Sequence, residues 1–222
     1  MKYTVKIARC VLLLITNTVA LASDPCPSLV PLGLVNSLSN PTSQILIVKS
    51  LSGFQVDITA CELQGENWTI ATPTTFPGVI GKNGMAVKEE KQEGDWKTPT
   101  GLFSIGDTFG TEPLAIKMNY KYITADDKFI DDPTSPQYNT WVTGETDAKS
   151  YENMLFPLYK LGAVIQYNVN PTIPGKGSAI FLHIWRFAES PTAGCVAMDE
   201  WHLSVVLNWF DKSKHPTIYI TE

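Results

Sequence analysis

The amino-acid sequence predicts a mainly β domain with one long C-terminal helix and one short helix. Residues 45–48 form a β-branched apolar run, and residues 54–60 alternate apolar and polar side chains with the period of a strand. Short apolar segments separated by glycine-rich turns fill residues 81–106. Residues 199–211 form the helix, because Asp199 is a good N-cap and an apolar face follows it. That face consists of Leu203, Val206, Leu207 and Phe210.

The remaining elements divide the chain into a lead-in and a folded domain. Residues 23–43 are rich in proline and small polar residues and are expected to be irregular, so the domain spans residues 44–222. Residues 107–150 are long and turn-rich, as in segments that line a functional site or form a lid. We predict a second strand of the first hairpin at 68–70, a short helix at 150–155, buried strands at 163–169 and 179–184, and a closing strand at 217–221.

Residues 1–22 have the pattern of a signal peptide. A basic start precedes a broken apolar run that ends in Ala20-Leu21-Ala22, so Ser23 is the expected mature N-terminus. The run is too short and too interrupted to span a bilayer well. We therefore expect export to the periplasm or cell envelope, with no integral membrane segment after cleavage.

The charge of the chain excludes two classes of partner. The signal segment holds three of the 17 basic residues and none of the 22 acidic ones, so the net charge falls from −5 to −8 on cleavage. A protein this acidic is poorly suited to nucleic acid or to an anionic membrane surface.

The sequence contains four cysteines, and three of them have an expected role other than catalysis. Cys10 lies in the signal segment, and Cys26 and Cys61 form the expected disulfide, which ties the lead-in to the second strand and stabilises the fold by roughly 3–4 kcal/mol. Cys195 remains as a free thiol in an exported protein. A thiol in that environment is either buried or chemically active.

His183 and Gly194 favour chemistry at Cys195. An ordinary cysteine is only about 3% thiolate at neutral pH, and a neighbouring imidazole is the usual activator. His183 lies near the end of an apolar strand and Cys195 on the return of the loop that follows it, so the two side chains are able to meet. Gly194 would let a substrate carbonyl approach the backbone amides, which are candidate oxyanion donors.

Other interpretations of these residues remain open. A lone cysteine is more often a buried small apolar residue, and a histidine in an apolar strand is more often a core residue. A zinc site of His183, Cys195 and His202 lacks any closely spaced ligand pair. His202 and His215 are expected to be structural.

Several motifs resemble the L,D-transpeptidase (YkuD-type) family, and the resemblance covers roughly residues 45–220. Its active-site signature places a histidine upstream of Ser/Thr-x-Gly-Cys, and residues 178–183 read SAIFLH while residues 192–198 read TAGCVAM. Further elements similar to one exported branch of the family are GKNG at 81–84, EGDWKTPTGLF at 93–103, YN at 138–139 and YN at 167–168.

The resemblance implies a β-sandwich-like catalytic domain that acts on peptidoglycan stem peptides without a cofactor or a metal. Cys195 would attack the L-diamino acid carbonyl of a tetrapeptide and expel D-alanine, with His183 as base and the Gly194 and Cys195 amides as the oxyanion hole. An amine would then resolve the acyl-enzyme, giving a 3–3 cross-link, D-amino-acid exchange or attachment of an amine-bearing envelope protein. Thr192 occupies the Ser/Thr position of the motif.

The chain departs from the motif of many members at two positions. They read Ser-His-Gly-Cys-x-Arg, whereas this sequence has Ala193 and Ala197. Arg186 is the candidate replacement for the arginine, although a solvent-facing role is as well supported. Trp185 is the candidate groove wall, and Tyr138 and Asn139 are candidates to reach the substrate from the long middle segment.

Two other functions are compatible with the same motifs. Water in place of the amine would give an L,D-carboxypeptidase, and loss of catalysis would leave a peptidoglycan-binding module.

Overall fold

The computed structural model describes residues 24–29, 41–72, 75–87 and 89–222, and there the mainly β prediction is confirmed. The predicted signal peptide and most of the lead-in, residues 30–40, lie outside these ranges. Within the described parts of the chain, no helix is long and apolar enough to cross a membrane.

Fifteen strands and one α-helix make up the regular structure of these ranges, together with short 3₁₀ helices at Cys26–Leu29, Pro157–Tyr159 and Lys212–Lys214. The α-helix is α1 (Glu200–Trp209). The strands are β1 (Gln44–Ser52), β2 (Gln55–Gln64), β3 (Asn67–Ile70), β4 (Phe76–Val79), β5 (Met85–Ala86), β6 (Thr98–Pro99), β7 (Gly101–Gly110), β8 (Tyr120–Tyr122), β9 (Asp127–Ile130), β10 (Trp141–Thr143), β11 (Tyr151–Asn153), β12 (Leu161–Ile165), β13 (Phe181–Ile184), β14 (Val196–Met198) and β15 (Thr217–Thr221).

The main sheet closes on itself into a barrel. Its strands follow the order β1, β15, β7, β12, β13, β14, β4, β2, and β2 pairs again with β1. Strand β3 adds to β2, and β8 adds to β7. The expected sandwich is not confirmed, because these strands form one barrel-like sheet and not two stacked sheets.

Alternating side chains of the barrel strands separate an inner core from outer clusters. On β1, Leu46 and Val48 join the large inner core, whereas Ile45 and Ile47 pack in a cluster on the other face. That outer cluster contains the disulfide between Cys26 and Cys61, whose Cα atoms are 5.6 Å apart. The disulfide thereby fixes the segment before residue 30 to β2.

Helix α1 packs its apolar face into the inner core. Its buried residues are Leu203, Val206 and Leu207, as the sequence pattern predicted. Asp199 is the N-cap, and its carboxylate accepts a hydrogen bond from the His202 amide. The helix is ten residues long, so the expectation of a long C-terminal helix is not confirmed.

The long middle segment folds into a small sheet on the outer face of the barrel. Strands β10 and β11 both pair with β9, and Phe129 of β9 packs against Phe181 of β13 with ring centroids 5.0 Å apart. The short helix predicted at 150–155 is wrong, because Tyr151–Asn153 is strand β11. Pairing with β9 supplies hydrogen bonds that a helix of only six residues could not match.

Asp127 of β9 stabilises this small sheet through hydrogen bonds to its carboxylate. Its carboxylate accepts hydrogen bonds from Trp141 Nε1 at 2.8 Å, Thr143 Oγ1 at 2.6 Å and the Thr124 amide at 2.8 Å. Burial favours the neutral acid, but these hydrogen bonds outweigh it and lower the pKa of Asp127 well below its ordinary value. The small sheet therefore depends on an ionised, buried carboxylate.

Candidate active site

Two neighbouring parallel strands bring Cys195 and His183 to one cavity. His183 lies on β13 opposite Ala197 of β14, and Cys195 immediately precedes β14. Since alternate residues of a strand share a face, His183 lies on the same outer face as Phe181. Both Cys195 and His183 line a cavity of 430 Å³, and each has only 6% of its surface exposed.

The sulfur of Cys195 is held by backbone groups. Its Sγ donates to the Ala179 carbonyl at 3.3 Å and accepts from the Phe181 amide at 3.3 Å. Burial raises the pKa of the Cys195 thiol strongly, the charge of Glu152 raises it further, and the Phe181 amide and Lys91 oppose both effects. Cys195 is therefore a neutral thiol before substrate binds. The sequence alone instead predicts a neighbouring imidazole that makes a thiolate readily available.

His183 is a neutral imidazole with a defined tautomer. Its Nδ1 lies 2.8 Å from the carbonyl oxygen of Ile184, and a carbonyl only accepts, so Nδ1 carries the hydrogen. Burial lowers the pKa of His183 to about 4, although the contact with Ile184 acts in the opposite direction. Nε2 therefore keeps its lone pair and is the basic atom of the ring.

The loop before Cys195 is fixed by two threonine hydroxyls. Thr192 Oγ1 donates to the Cys195 carbonyl at 2.7 Å and accepts from the Gly194 amide at 3.1 Å. Thr98 Oγ1 donates to the Gly194 carbonyl at 2.8 Å and accepts from the Gly81 amide at 2.9 Å. The motif around Thr98 therefore supports the cysteine loop directly.

Gly194 is required by the backbone of this loop. Its φ is +150°, a conformation that residues with a side chain rarely adopt, and an added Cβ would lie 3.0 Å from the Lys97 carbonyl oxygen. The expectation that its amide helps to form an oxyanion hole is not supported, because that amide donates to Thr192. Thr192 likewise positions the loop through both of its hydrogen bonds.

Two cavities of opposite character meet at Cys195. The larger, which we call the aromatic cavity, is the 430 Å³ cavity and is lined by Trp96, Glu152, Phe156, Leu158, Tyr159, His183, Trp185, Arg186, Ser190, Pro191, Thr192, Ala193 and Cys195. The smaller, which we call the acidic cavity, has a volume of 190 Å³ and is lined by Lys91, Glu93, Gly94, Trp96, Asp131, Glu152, Ser178, Ala179, Ile180, Ala193, Gly194 and Cys195. The sequence-predicted Trp185 and Arg186 both line the aromatic cavity, and Arg186 is exposed there.

Tyr138 and Asn139 line neither cavity, so the expectation that they reach the substrate is not supported. Both are buried, and the Tyr138 hydroxyl donates to Glu93 Oε2 at 2.5 Å. Asn139 Nδ2 donates to the carbonyls of Tyr167 and Asn168, and its Oδ1 accepts from the Ala179 amide at 3.1 Å. These residues support the wall of the site from behind.

Several residues that line the two cavities have no role predicted from the sequence. Glu152 lies in the segment that was assigned to a helix, so its direction could not be predicted. Glu93 and Trp96 belong to a recognised motif but carried no assigned role. Lys91, which is 4% exposed and pairs with Asp95 at 2.7 Å, and Asp131 lack any sequence signal.

Of the residues of the conceivable zinc site, His202 does not join His183 and Cys195 at their cavity. The His202 ring pairs with Asp199 at the start of α1 and packs on Phe76 with centroids 4.7 Å apart. Among the residues that the structure describes, no group of three histidine, cysteine or acidic side chains is placed to hold a metal.

Comparison with known proteins identifies the family of this site. The family model described as the L,D-transpeptidase catalytic domain, YkuD, matches residues 54–220, which include all the motifs discussed above. No curated protein and no solved structure matches the chain. Members of the matched family are L,D-transpeptidases that act in peptidoglycan. The chain belongs to the L,D-transpeptidase catalytic-domain family.

Proposed function

We propose that this protein transfers acyl groups of peptidoglycan stem peptides through a thioester on Cys195. The observation that carries the proposal is the placement of a thiol and a neutral imidazole on one cavity. Because the Ile184 carbonyl holds Nδ1–H, the lone pair of Nε2 is free to take a proton. This arrangement suits general-base catalysis and does not need a preformed thiolate.

The first half-reaction forms the acyl-enzyme. As Sγ of Cys195 attacks the carbonyl carbon of the L-diamino acid, the thiol proton moves to Nε2 of His183. The Cys195 amide is the proposed donor to the oxyanion, since the Gly194 amide is already bound to Thr192. The protonated imidazole then gives its proton to the leaving nitrogen, D-alanine departs, and the thioester remains.

Arg186 is the proposed partner of the D-alanine carboxylate. It lines the aromatic cavity together with His183, which gives the leaving group its proton in this proposal. Ala197, which occupies the motif position of the usual arginine, is fully buried on β14 and cannot supply that charge. Trp185, next to Arg186, is the proposed wall for the peptide.

The second half-reaction passes the acyl group to an amine. The product is a 3–3 cross-link, an exchanged D-amino acid or an envelope protein joined to peptidoglycan. Export to the periplasm or cell envelope is part of this proposal. It is supported by the Cys26–Cys61 disulfide, since such bonds persist in oxidising compartments.

The decisive experiment is incubation of purified protein with tetrapeptide muropeptides, followed by mass analysis of the products. Dimers or exchanged D-amino acids indicate transfer, and bare tripeptides indicate an L,D-carboxypeptidase. The Cys195→Ala variant should give neither product. If wild type and Cys195→Ala are equally inactive, the proposal of an acyl-enzyme is wrong.

One observation favours a second candidate, a peptidoglycan-binding module without catalysis. The sulfur of Cys195 is almost fully buried and neutral, which is typical of structural cysteines. That candidate predicts binding to sacculi without any covalent adduct on exposure to a carbapenem-type β-lactam. An adduct that maps to Cys195 would exclude it.

A further inference from the structure

Glu152 is the carboxyl group at the junction of the two cavities. The aromatic and acidic cavities share only Trp96, Glu152, Ala193 and Cys195 among their lining residues. In the described ranges, Glu152 is therefore the one carboxyl group that lines both cavities together with Cys195. The charge of Glu152 also acts on the Cys195 thiol, whose pKa it raises, so the two side chains are close in electrostatic terms.

The acidic cavity is suited to a cation. Glu93, Asp131 and Glu152 line it, and its one lysine, Lys91, is already paired with Asp95. Within the described chain, Asp131 Oδ1 is a buried carboxylate oxygen without a hydrogen-bond partner. An ammonium group bound here would be attracted by the charges of Glu93, Asp131 and Glu152.

Glu152 is held in a defined position on β11. The Tyr159 hydroxyl donates to its Oε2, and the Tyr159 ring packs edge-on against His183 with centroids 5.3 Å apart. Tyr159 therefore lies between Glu152 and His183, and its hydroxyl fixes the orientation of the Glu152 carboxyl group. One oxygen of Glu152 is engaged with Tyr159.

The surroundings of Glu152 raise its pKa well above the ordinary value of a carboxyl group. Burial raises its pKa to about 7; the hydrogen bond from Tyr159 lowers the pKa, and the charges of Asp131 and Glu93 raise it. A proton acceptor works best when its pKa is near the working pH. Because burial raises the pKa of Glu152 and lowers that of His183 to about 4, Glu152 is the stronger proton acceptor of the two.

We propose that Glu152 is a further catalytic residue, which accepts the proton of the acceptor's ammonium group in the second half-reaction. The inference rests on the proposed function, because it requires a thioester on Cys195. The ammonium binds in the acidic cavity and gives one proton to the Glu152 carboxylate. The neutral amine nitrogen then attacks the thioester carbon, its second proton passes to His183, and the C–S bond breaks. His183 returns that proton to the departing sulfur, so an amide and a free thiol result.

The test separates the two half-reactions in the Glu152→Gln variant. Glutamine keeps an oxygen for the Tyr159 hydroxyl but cannot take a proton. The burst of D-alanine release from a tetrapeptide measures acylation, and the yield of exchanged product measures transfer. Two acceptors are compared: D-methionine, which is an ammonium at neutral pH, and hydroxylamine, which is uncharged.

We expect Glu152→Gln to keep the burst but to transfer to D-methionine about 10²-fold more slowly than wild type. Transfer to hydroxylamine should be nearly unchanged, because that acceptor arrives without the additional ammonium proton that Glu152 removes, and its remaining N–H proton passes to His183. The rate of transfer to D-methionine by the wild type should depend on pH near pH 7, and this dependence should be absent in Glu152→Gln. Glu66→Gln, a change in the exposed turn between β2 and β3, is the matched control for loss of a carboxylate.

Three outcomes overturn the inference. Equal loss with both acceptors would mean that the variant damages the site, and no loss with D-methionine would mean that another group takes the proton. A wild-type protein that shows the D-alanine burst but transfers to no amine would be a carboxypeptidase. If the wild type shows no burst at all, the proposed function itself has failed.

Discussion

Nδ1 of His183 lies 2.8 Å from the carbonyl oxygen of Ile184, the next residue of the same strand. A strand residue that binds its own neighbour's carbonyl cannot change tautomer without losing that bond. The ring therefore offers the same basic atom, Nε2, whether or not a substrate is bound. The tautomer follows from the local backbone and needs no acidic third partner.

Replacing His183 should abolish base catalysis and leave the fold intact. We expect His183→Gln to form the carbapenem adduct on Cys195 about 10²–10⁴-fold more slowly than wild type, because no group then takes the thiol proton. Time-resolved mass spectrometry of the intact protein measures the rate. His202→Gln, a change at the start of α1, is the control and should react like wild type. Equal adduct rates for His183→Gln and wild type would contradict the assignment.

Alkylation of Cys195 should require unusually high pH. Because burial raises the thiol pKa, the iodoacetamide rate should still be rising above pH 9, whereas unfolded protein should level off near the ordinary cysteine pKa of about 8.5. Glu152→Gln removes a negative charge that raises this pKa, so it should increase the rate at a given pH. A wild-type plateau below pH 8 would show a preformed thiolate and contradict the neutral pair.

Thr98→Val should loosen the cysteine loop. The fully buried hydroxyl satisfies the Gly194 carbonyl and the Gly81 amide, so its loss should lower the free energy of unfolding by about 1–3 kcal/mol. Urea denaturation measures this, and adduct formation should slow as well. Thr69→Val, on strand β3, is the control, since its hydroxyl makes one long hydrogen bond of 3.4 Å. Equal stability of the two variants would contradict the role of Thr98.

Asp127 should make stability depend on pH. Its folded pKa lies below the unfolded value of about 3.9, so its contribution is present above that value and is lost as the pH falls further. We expect Asp127→Asn to lower the free energy of unfolding by about 1.5–3 kcal/mol at pH 7, with a difference that shrinks below pH 4. Urea denaturation at several pH values measures it. The exposed neighbour Asp126→Asn is the control, and a difference that is constant with pH would disprove the mechanism.

Local patterns predicted the elements whose partners lie close in sequence or whose periodicity is strong. The β-branched run at 45–48, the alternation at 54–60 and the apolar face after Asp199 all appear as strands or helix. The segment at 150–155 did not follow its own propensity, because strand β11 exists only through pairing with β9. Closure of the barrel likewise depends on pairing between β1 and β15, which local pattern does not encode.

The motif predicted two residues that share one cavity, but not what surrounds them. His183 and Cys195 line one cavity, and Trp185 and Arg186 line it with them. Tyr138 and Asn139 line neither cavity, and a sequence does not reveal whether a polar side chain faces a cavity or the backbone behind it. The position of Glu152 depends on how the small sheet packs against the barrel.

The ring of strands is completed by the last strand of the chain. Strand β15 lies between β1 and β7. Without residues 217–221, β1 would therefore have only one neighbouring strand in the sheet. A chain that lacks residues 217–221 therefore cannot close the barrel. Loss of only these few residues would expose edges of two long strands, β1 and β7, to pairing between molecules.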